Sequence, residues 1–427
     1  MYYTNLYYLE KIVLCCASSG IAALLLPGGR TSHSRFKIPL QITESSTCAI
    51  SHNSPLGELL RITDLIIWDE VPMQHKYCFE AVNRTLNDIC GFTDSEYFGQ
   101  IPILLGGDFA QILPVIPKGN RTQTVEACIQ KSHIWRGIQV LNLNQNMRVQ
   151  SGFNNSEFVS WLGNLSYNSN WYGQIPLPAF IHTVTNICAF YDFIYPPHLL
   201  QIAHQQYTIF SNRAILTPHN ETVSELNSLL LAKLHGELHI FNSEDTADIN
   251  DIEMGIDYVP VEYLQSLNPA SLPPSQLHLR VGAPVILLRN LDPKRGLCNG
   301  TRMAVTKLGR RCIQVVILTG EFSGTTALLP RIPLSSTEGD LPFILSRKQF
   351  PIRLSFAITI NKAQGQSLDM VGVDLRNPVF THGQLYVALS RTTNVDNMMI
   401  LLPEIPQGQA LTVTNVVYPE VLLNQID

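Results

Sequence analysis

Three strand-length apolar runs constrain this chain more than any other feature in it: IVLCCA at 12–17, LIIW at 65–68 and IPILLGG at 101–107. Runs that are apolar without alternation are buried on both faces, as parallel strands are when helices cross over them. A doubly wound α/β domain is the expectation. In such a sheet ligands gather beyond the carboxyl ends of the strands, and Asp69, Glu70 and Asp108 each stand just past a run.

A chain of 427 residues, 45% hydrophobic and 15% charged, holds more core than one compact domain needs, so two or three domains are expected and disorder is not. The first α/β unit is placed at 1–150. A connector and the start of a second α/β unit follow at 151–240, with a strand at 207–212 and a helix opened by Asn220. Alternating, turn-rich text (LHLRVGAPVILLRN, NGTRMAV, CIQVVILTGEF) predicts a small β-barrel at 241–333, inserted in the second unit, whose remainder occupies 334–427. The net charge of -5 excludes a binder that attracts nucleic acid by bulk charge, but not a basic channel within an acidic whole. The nine cysteines form no CxxC pair, which points to a reducing compartment and no structural metal. The uncharged stretch 12–29 is broken by Ser18, Ser19, Gly20, Pro27 and Gly29. It therefore reads as strand, loop and short helix, and no other run is long enough to span a membrane.

The chemistry sits at the strand ends. In DLIIWDEVPM (64–73), adjacent carboxylates follow an apolar strand; in a nucleotide hydrolase one such acid holds Mg²⁺ and the next activates water. An Asp-Glu pair alone is more often a solvated turn. LLGGDFAQILPVIP adds two glycines at a tight turn, then Asp108 and Gln111, which could sense a terminal phosphate or be an ordinary loop residue. Arg148 closes LNLNQNMR at a domain junction, where a guanidinium can reach a phosphate held by the other domain, though most single arginines lie at the surface.

Taken together these segments resemble superfamily-one DNA helicases of the petite-integration-frequency type, especially the helicase part of Helitron transposons. ASSGIAALLLPGGRTSHSRFKIP (17–39) is similar to motif Ia and the strand-binding stretch beyond it, IIWDEVPM to motif II, GGDFAQILPV to motif III and NQNMR to motif IV. GAPVILLRNLDPKRGLCNGTRM (282–303) is similar to the family's inserted barrel, ITINKAQGQSL (358–368) to motif V and GQLYVALSRT (383–392) to motif VI. Seven segments in order make the likeness specific. It implies an α/β fold of two RecA-like P-loop NTPase motor domains, the first incomplete, with a small β-barrel inserted in the second.

The resemblance further implies ATP and Mg²⁺ as cofactors, with Asp69 binding the metal, Glu70 as catalytic base and Gln111 coupling the γ-phosphate to strand movement. Arg148 and Arg391 are implied as arginine fingers, and Gly365 as part of the nucleotide site. Gly20, Thr31, His33, Ser34, Phe36, Lys362, Gln364 and Ser367 are implied to line a single-stranded DNA track. Taken singly, Phe36 reads equally as a core aromatic. Single-stranded DNA and duplex junctions are the implied partners of a monomer working 5′ to 3′ in repair, recombination and telomere maintenance, in the nucleus or alternatively the mitochondrion.

One part is missing from the text. No GxxxxGK[ST] phosphate loop occurs, and Gly-Lys occurs nowhere in the chain. Two expectations follow: an incomplete chain whose activity is lost, or a module that binds single-stranded DNA without hydrolysing ATP. A nucleotide enzyme of another substrate class is disfavoured by the order of the later motifs.

Overall fold

The computed structural model describes residues 11–92, 97–143, 153–248, 259–269, 271–336, 341, 343–404 and 411–423. The first unit is built on a four-stranded parallel sheet: β1 (Val13–Ala17), β2 (Arg30–Thr31), β3 (Leu65–Asp69) and β4 (Ile103–Leu105), in the order β2-β1-β3-β4. The three apolar runs are the longer strands. Helix Lys76–Cys90 covers one face, starting at His75, whose ring accepts the Tyr77 N–H, and ending at Gly91 in the left-handed region (φ 76°). Trp68 and Phe79, both fully buried, pack between sheet and helix.

The second unit is a five-stranded sheet of parallel pairs, Ala357–Thr359, Arg213–Thr217, Met370–Asp374, Met398–Leu401 and His182–Val184 in that spatial order. Its first strand lies earlier than expected, at 182–184. The expected strand at 207–212 is instead a 3-10 turn, Tyr207–Phe210, leading into Arg213–Thr217. Tyr207 to Phe210 alternate without a Gly or Pro to mark the turn, which is why the period misleads. The helix opened by Asn220 runs Asn220–Lys233.

Between these halves lies the inserted β unit. Its strands run from His239–Asn242 to Ile352–Leu354, so the predicted return to α/β structure at 334 is corrected to 357. A five-stranded antiparallel sheet has Thr326–Pro330 and Ile352–Leu354 at its edges. Both edges continue in sequence into strands that pair with each other, Ile332–Ser335 and Ile344–Gln349. The two sheets enclose a core of Val285, Met303, Val305, Ile313, Val315 and Phe350 without closing into a continuous hydrogen-bonded barrel among the described residues.

The C-terminal segment ties the two α/β units. Strand Thr412–Asn415 pairs with Gly173–Pro176 beside the second sheet, after which Tyr418 and Val421 pack with Leu113, Val125 and Cys128 of the first unit. The nine cysteines are free thiols, and among the described residues no His/Cys/Asp/Glu group is arranged to hold a metal. No described helix is long and apolar enough to cross a membrane.

Candidate functional site: a carboxylate cleft between two parallel sheets

Asp69 ends β3 and Glu70 turns the chain out of it with left-handed backbone angles (φ 55°, ψ 40°), an uncommon state for a residue with a side chain. Three contacts fix this turn. The Glu70 N–H donates to Asp69 Oδ1 (2.8 Å), Val71 N–H donates to the Gly106 carbonyl (3.0 Å), and Gly106 N–H donates to the Trp68 carbonyl (2.8 Å). Side chains would not fit on the opposing loop. A Cβ on Gly106 would lie 2.9 Å from Asp69 Oδ1, and one on Gly107 would run into the Pro72 ring. The two glycines are therefore what lets the loop after β4 pass against the acidic turn.

Glu70 is buried, and its Oε2 accepts a hydrogen bond of 3.1 Å from Gln364 Nε2 of the second unit. Burial pushes its carboxyl above the usual range. The Gln364 bond pulls it back, Asp69 raises it again, Arg391 lowers it and Asp108 raises it. A carboxylate tuned upward by burial among other charges suits a proton acceptor. Gln364, expected on a DNA track, is instead 2% exposed and turned into this cleft, where its Nε2 donates to Glu70.

Asp108 is held on both oxygens: Oδ1 accepts from Ala110 N–H (2.9 Å), and Oδ2 from the Tyr386 hydroxyl (2.9 Å) and, at 3.5 Å, from Gln111 Nε2. The Gln111 and Gln364 amide oxygens are both buried with no hydrogen-bond partner in the protein. Such acceptors are costly unless something donates to them. Arg391, 4% exposed, donates to the Val387, Ala363 and Gln366 carbonyls and to Ser390 Oγ, binding the loop after Ala363 to the last helix of the motor, Gln384–Leu389. Gly365 has a left-handed backbone (φ 78°) and faces Ala22 of the first unit. Arg148 lies outside the described residues.

The remaining expected DNA-track residues are spread over two places. Thr31 caps the short helix Ser32–Phe36 through the Ser34 N–H, and His33 is partly buried, which lowers its pKa. Phe36 is a correction. At 1% exposure it stacks on Trp68 with centroids 5.4 Å apart, so its ring belongs to the core and offers no face to a base. Gly20 packs against the Asn299 carbonyl of the inserted unit, and Gly300 against Ile21. Ser367 is exposed and, with Gly365, Ile21, Leu24 and Gly300, lines a cavity of about 300 Å³ where the three units meet. Lys362 is half-buried and pushed down to about 8, chiefly by burial and then by Arg353. Sequence reasoning missed Tyr386 and His382; both lie in or beside GQLYVALSRT, where an arginine and helix pattern drew attention first.

Two parallel α/β sheets meeting at an acidic cleft, with a β unit inserted in the second, define a two-domain α/β fold of the RecA-like kind. Residues 2–168 match the family model described as PIF1-like helicase, and 262–308 match that of the DNA helicase Pif1 2B domain. The ATP-dependent DNA helicase PIF1 of Xenopus laevis is 29% identical over 399 residues, covering 92% of this chain and 55% of that protein. The ATP-dependent DNA helicase Pif1 of Campylobacter jejuni is 26% identical over 413 residues, covering 92% and 82%. Among solved structures, a Pif1 from work on unwinding of forked duplex DNA by two coordinating Pif1 helicases gives a TM-score of 0.65 at 25% identity, covering 94% of this chain and 87% of that one. Bacteroides Pif1 in complex with ADP-AlF3 and single-stranded DNA gives 0.64 at 23% identity, covering 98% and 87%, a likeness of fold. By family models, by curated relatives and by fold, this chain is similar to the PIF1-like helicases. It spans about half the length of the vertebrate relatives it matches.

Proposed function

We propose that this chain is the motor of an ATP-dependent DNA helicase that moves 5′ to 3′ on single strands. The observation that carries the reading is the Glu70–Gln364 hydrogen bond across the cleft, which links the base on one motor unit to the loop of the other. Relatives in the family are named ATP-dependent DNA helicases, and one solved structure holds ADP-AlF3 with single-stranded DNA.

The residues fit the group that hydrolysis needs. Mg²⁺ takes one or two carboxylates and completes its shell with phosphates and water, so Asp69, at the open end of β3, is a sufficient protein ligand. The metal would supply charge neutralisation at the phosphates. Glu70 accepts the proton of an attacking water. The unpartnered Gln111 and Gln364 amide oxygens provide acceptors that orient that water's second hydrogen or sense the terminal phosphate's neighbourhood. Arg391, and Arg148 by the resemblance, supply the positive charge that meets charge developing on the phosphoryl group as the domains close.

The test is phosphate release from ATP by the 427-residue chain, with and without a single-stranded oligonucleotide, beside Glu70→Gln. Against the loss of activity that the missing GxxxxGK[ST] loop leads one to expect, the reading requires DNA-stimulated release that the substitution lowers about 10²–10⁴-fold, the contribution of a general base. One observation favours a second reading, a strand-binding module that does not turn over ATP: the 427 residues hold no GxxxxGK[ST]. Salt-sensitive DNA binding by a folded chain that releases no phosphate would support it instead.

A further inference from the structure

We propose that Tyr386 is a positioning residue for Gln111, acting through Asp108: its hydroxyl is the grip of the second motor unit on the loop that carries Gln111. The inference rests on the hydrolase reading above and adds a residue to that site. Three donors meet one carboxylate. Ala110 N–H occupies Asp108 Oδ1, while the Tyr386 hydroxyl (2.9 Å) and Gln111 Nε2 (3.5 Å) share Oδ2. A hydroxyl at 2.9 Å from a carboxylate makes a firm charge-assisted bond, whereas an amide at 3.5 Å makes almost none.

While Tyr386 holds Oδ2, Gln111 is bound loosely and its buried amide oxygen stays without a partner in the protein. With the hydroxyl gone, Gln111 Nε2 is the side-chain donor left to Oδ2 among the described residues. Its amide then turns toward Asp108 and away from the cleft. The position of Gln111 thus depends on whether the second unit is docked on this loop, which gives strand-driven domain movement a direct route to the hydrolytic site.

Two neighbours make the contact a defined seat. The buried His382 ring donates through Nε2 to the Phe109 carbonyl (2.8 Å) and accepts at Nδ1 from Tyr418 N–H (2.8 Å). Gly383 (φ 74°) lies so close to the same loop that a Cβ there would stand 2.6 Å from the Gln111 carbonyl oxygen. Burial and the Asp108 charge push the Tyr386 hydroxyl far up from its ordinary value, so it remains a donor throughout the working pH range.

The experiment compares Tyr386→Phe, Asp108→Asn, their double variant and Gly383→Ala in the full 427-residue chain. Phosphate release is measured with and without single-stranded oligonucleotide, and amide hydrogen exchange is followed at Ala110 and Gln111. Tyr386→Phe keeps the ring and is expected to lower DNA-stimulated kcat about tenfold, the worth of a hydrogen bond to a charged group, with KM for ATP changed less than about twofold. Exchange at Ala110 and Gln111 should accelerate while β3 amides stay protected, and the double variant should be no worse than Asp108→Asn. Gly383→Ala, which wedges the loop away by a different route, should show the same kcat loss.

Full DNA-stimulated kcat in Tyr386→Phe with unchanged exchange overturns the inference, provided Glu70→Gln has abolished turnover. Turnover that survives Glu70→Gln overturns the hydrolase reading instead. A wild type without phosphate release also sinks that reading, and the exchange rates then decide whether Tyr386 holds the loop.

Discussion

Removing the Asp245 carboxylate should unfold the inserted unit well before the rest of the chain weakens. Asp245 and Arg347 face each other in register on neighbouring antiparallel strands, and both side chains are 0% exposed. Arg347 makes six hydrogen bonds: three to Asp245, at 2.7, 3.0 and 3.1 Å, and three to the carbonyls of Pro273, Leu264 and Leu267. The guanidinium therefore staples helix Val261–Ser266 and the turn after it to the sheet. Asp245→Ala leaves a cation with no counter-charge and no route to water, which costs about 3–5 kcal/mol. With a urea slope of roughly 2 kcal/mol/M, that lowers the unfolding midpoint by about 2 M. The assay is urea unfolding followed by far-ultraviolet circular dichroism. Asp245→Leu with Arg347→Met removes the charge and the desolvation cost together, and should recover to within about 1–2 kcal/mol of the wild type. A loss below about 1 kcal/mol in the single variant, or a double variant as unstable as the single, would show that the unpaired buried charge is not the cause.

Two further predictions concern the first unit and its junction with the second. Phe36→Ala should cost about 3–5 kcal/mol by opening a cavity beside Trp68, while the milder Phe36→Leu, once folded, should bind a single-stranded oligonucleotide with wild-type affinity by fluorescence anisotropy. A tenfold weaker complex would return Phe36 to the DNA track. His382 gives the pH prediction: burial holds its pKa below the ordinary 6.5, against smaller upward pulls from the Phe109 carbonyl, Asp108 and Glu420 and a downward one from Arg121. A histidine lowered in the fold binds fewer protons folded than unfolded, so its contribution is full above pH 6.5 and is lost as pH falls toward the folded value. Thermal midpoints should drop between pH 6.5 and 5 in the wild type and less steeply in His382→Asn; equal slopes would remove His382 as the cause.

What could be read from the sequence was whatever depends on local pattern. The three apolar runs became β1, β3 and β4, and GGD marked a turn whose glycines are required by Asp69 and Pro72. What could not be read depends on residues distant in the chain. Nothing local in ILSRKQ, at 344–349, assigns it to the inserted unit, because the strand it pairs with is EDTAD at 244–248, with Arg347 facing Asp245 from 102 residues away; the far boundary of the barrel is misjudged for that reason. The resemblance places Phe36 and Gln364 on a strand track. One packs on Trp68 and the other on Glu70, 294 residues away in sequence.

The residues that break local rules are also the ones that meet across the cleft. Glu70 in a left-handed conformation costs on the order of 1–3 kcal/mol, and a buried, charged carboxylate adds to that. The fold sustains both only because Asp69, Gly106 and Gln364 each fix a different atom of the same residue's neighbourhood. Gln364 belongs to the second unit, as do Tyr386 and His382, which fix the neighbouring loop. Part of the cost of the acidic turn is thus met by contacts that exist only when the two α/β units are together. Separating the units relaxes Glu70 and turns the Gln111 amide onto Asp108 at once, so the acidic turn and the loop after β4 change state together, which is the behaviour the proposed motor needs if hydrolysis is to wait for domain closure.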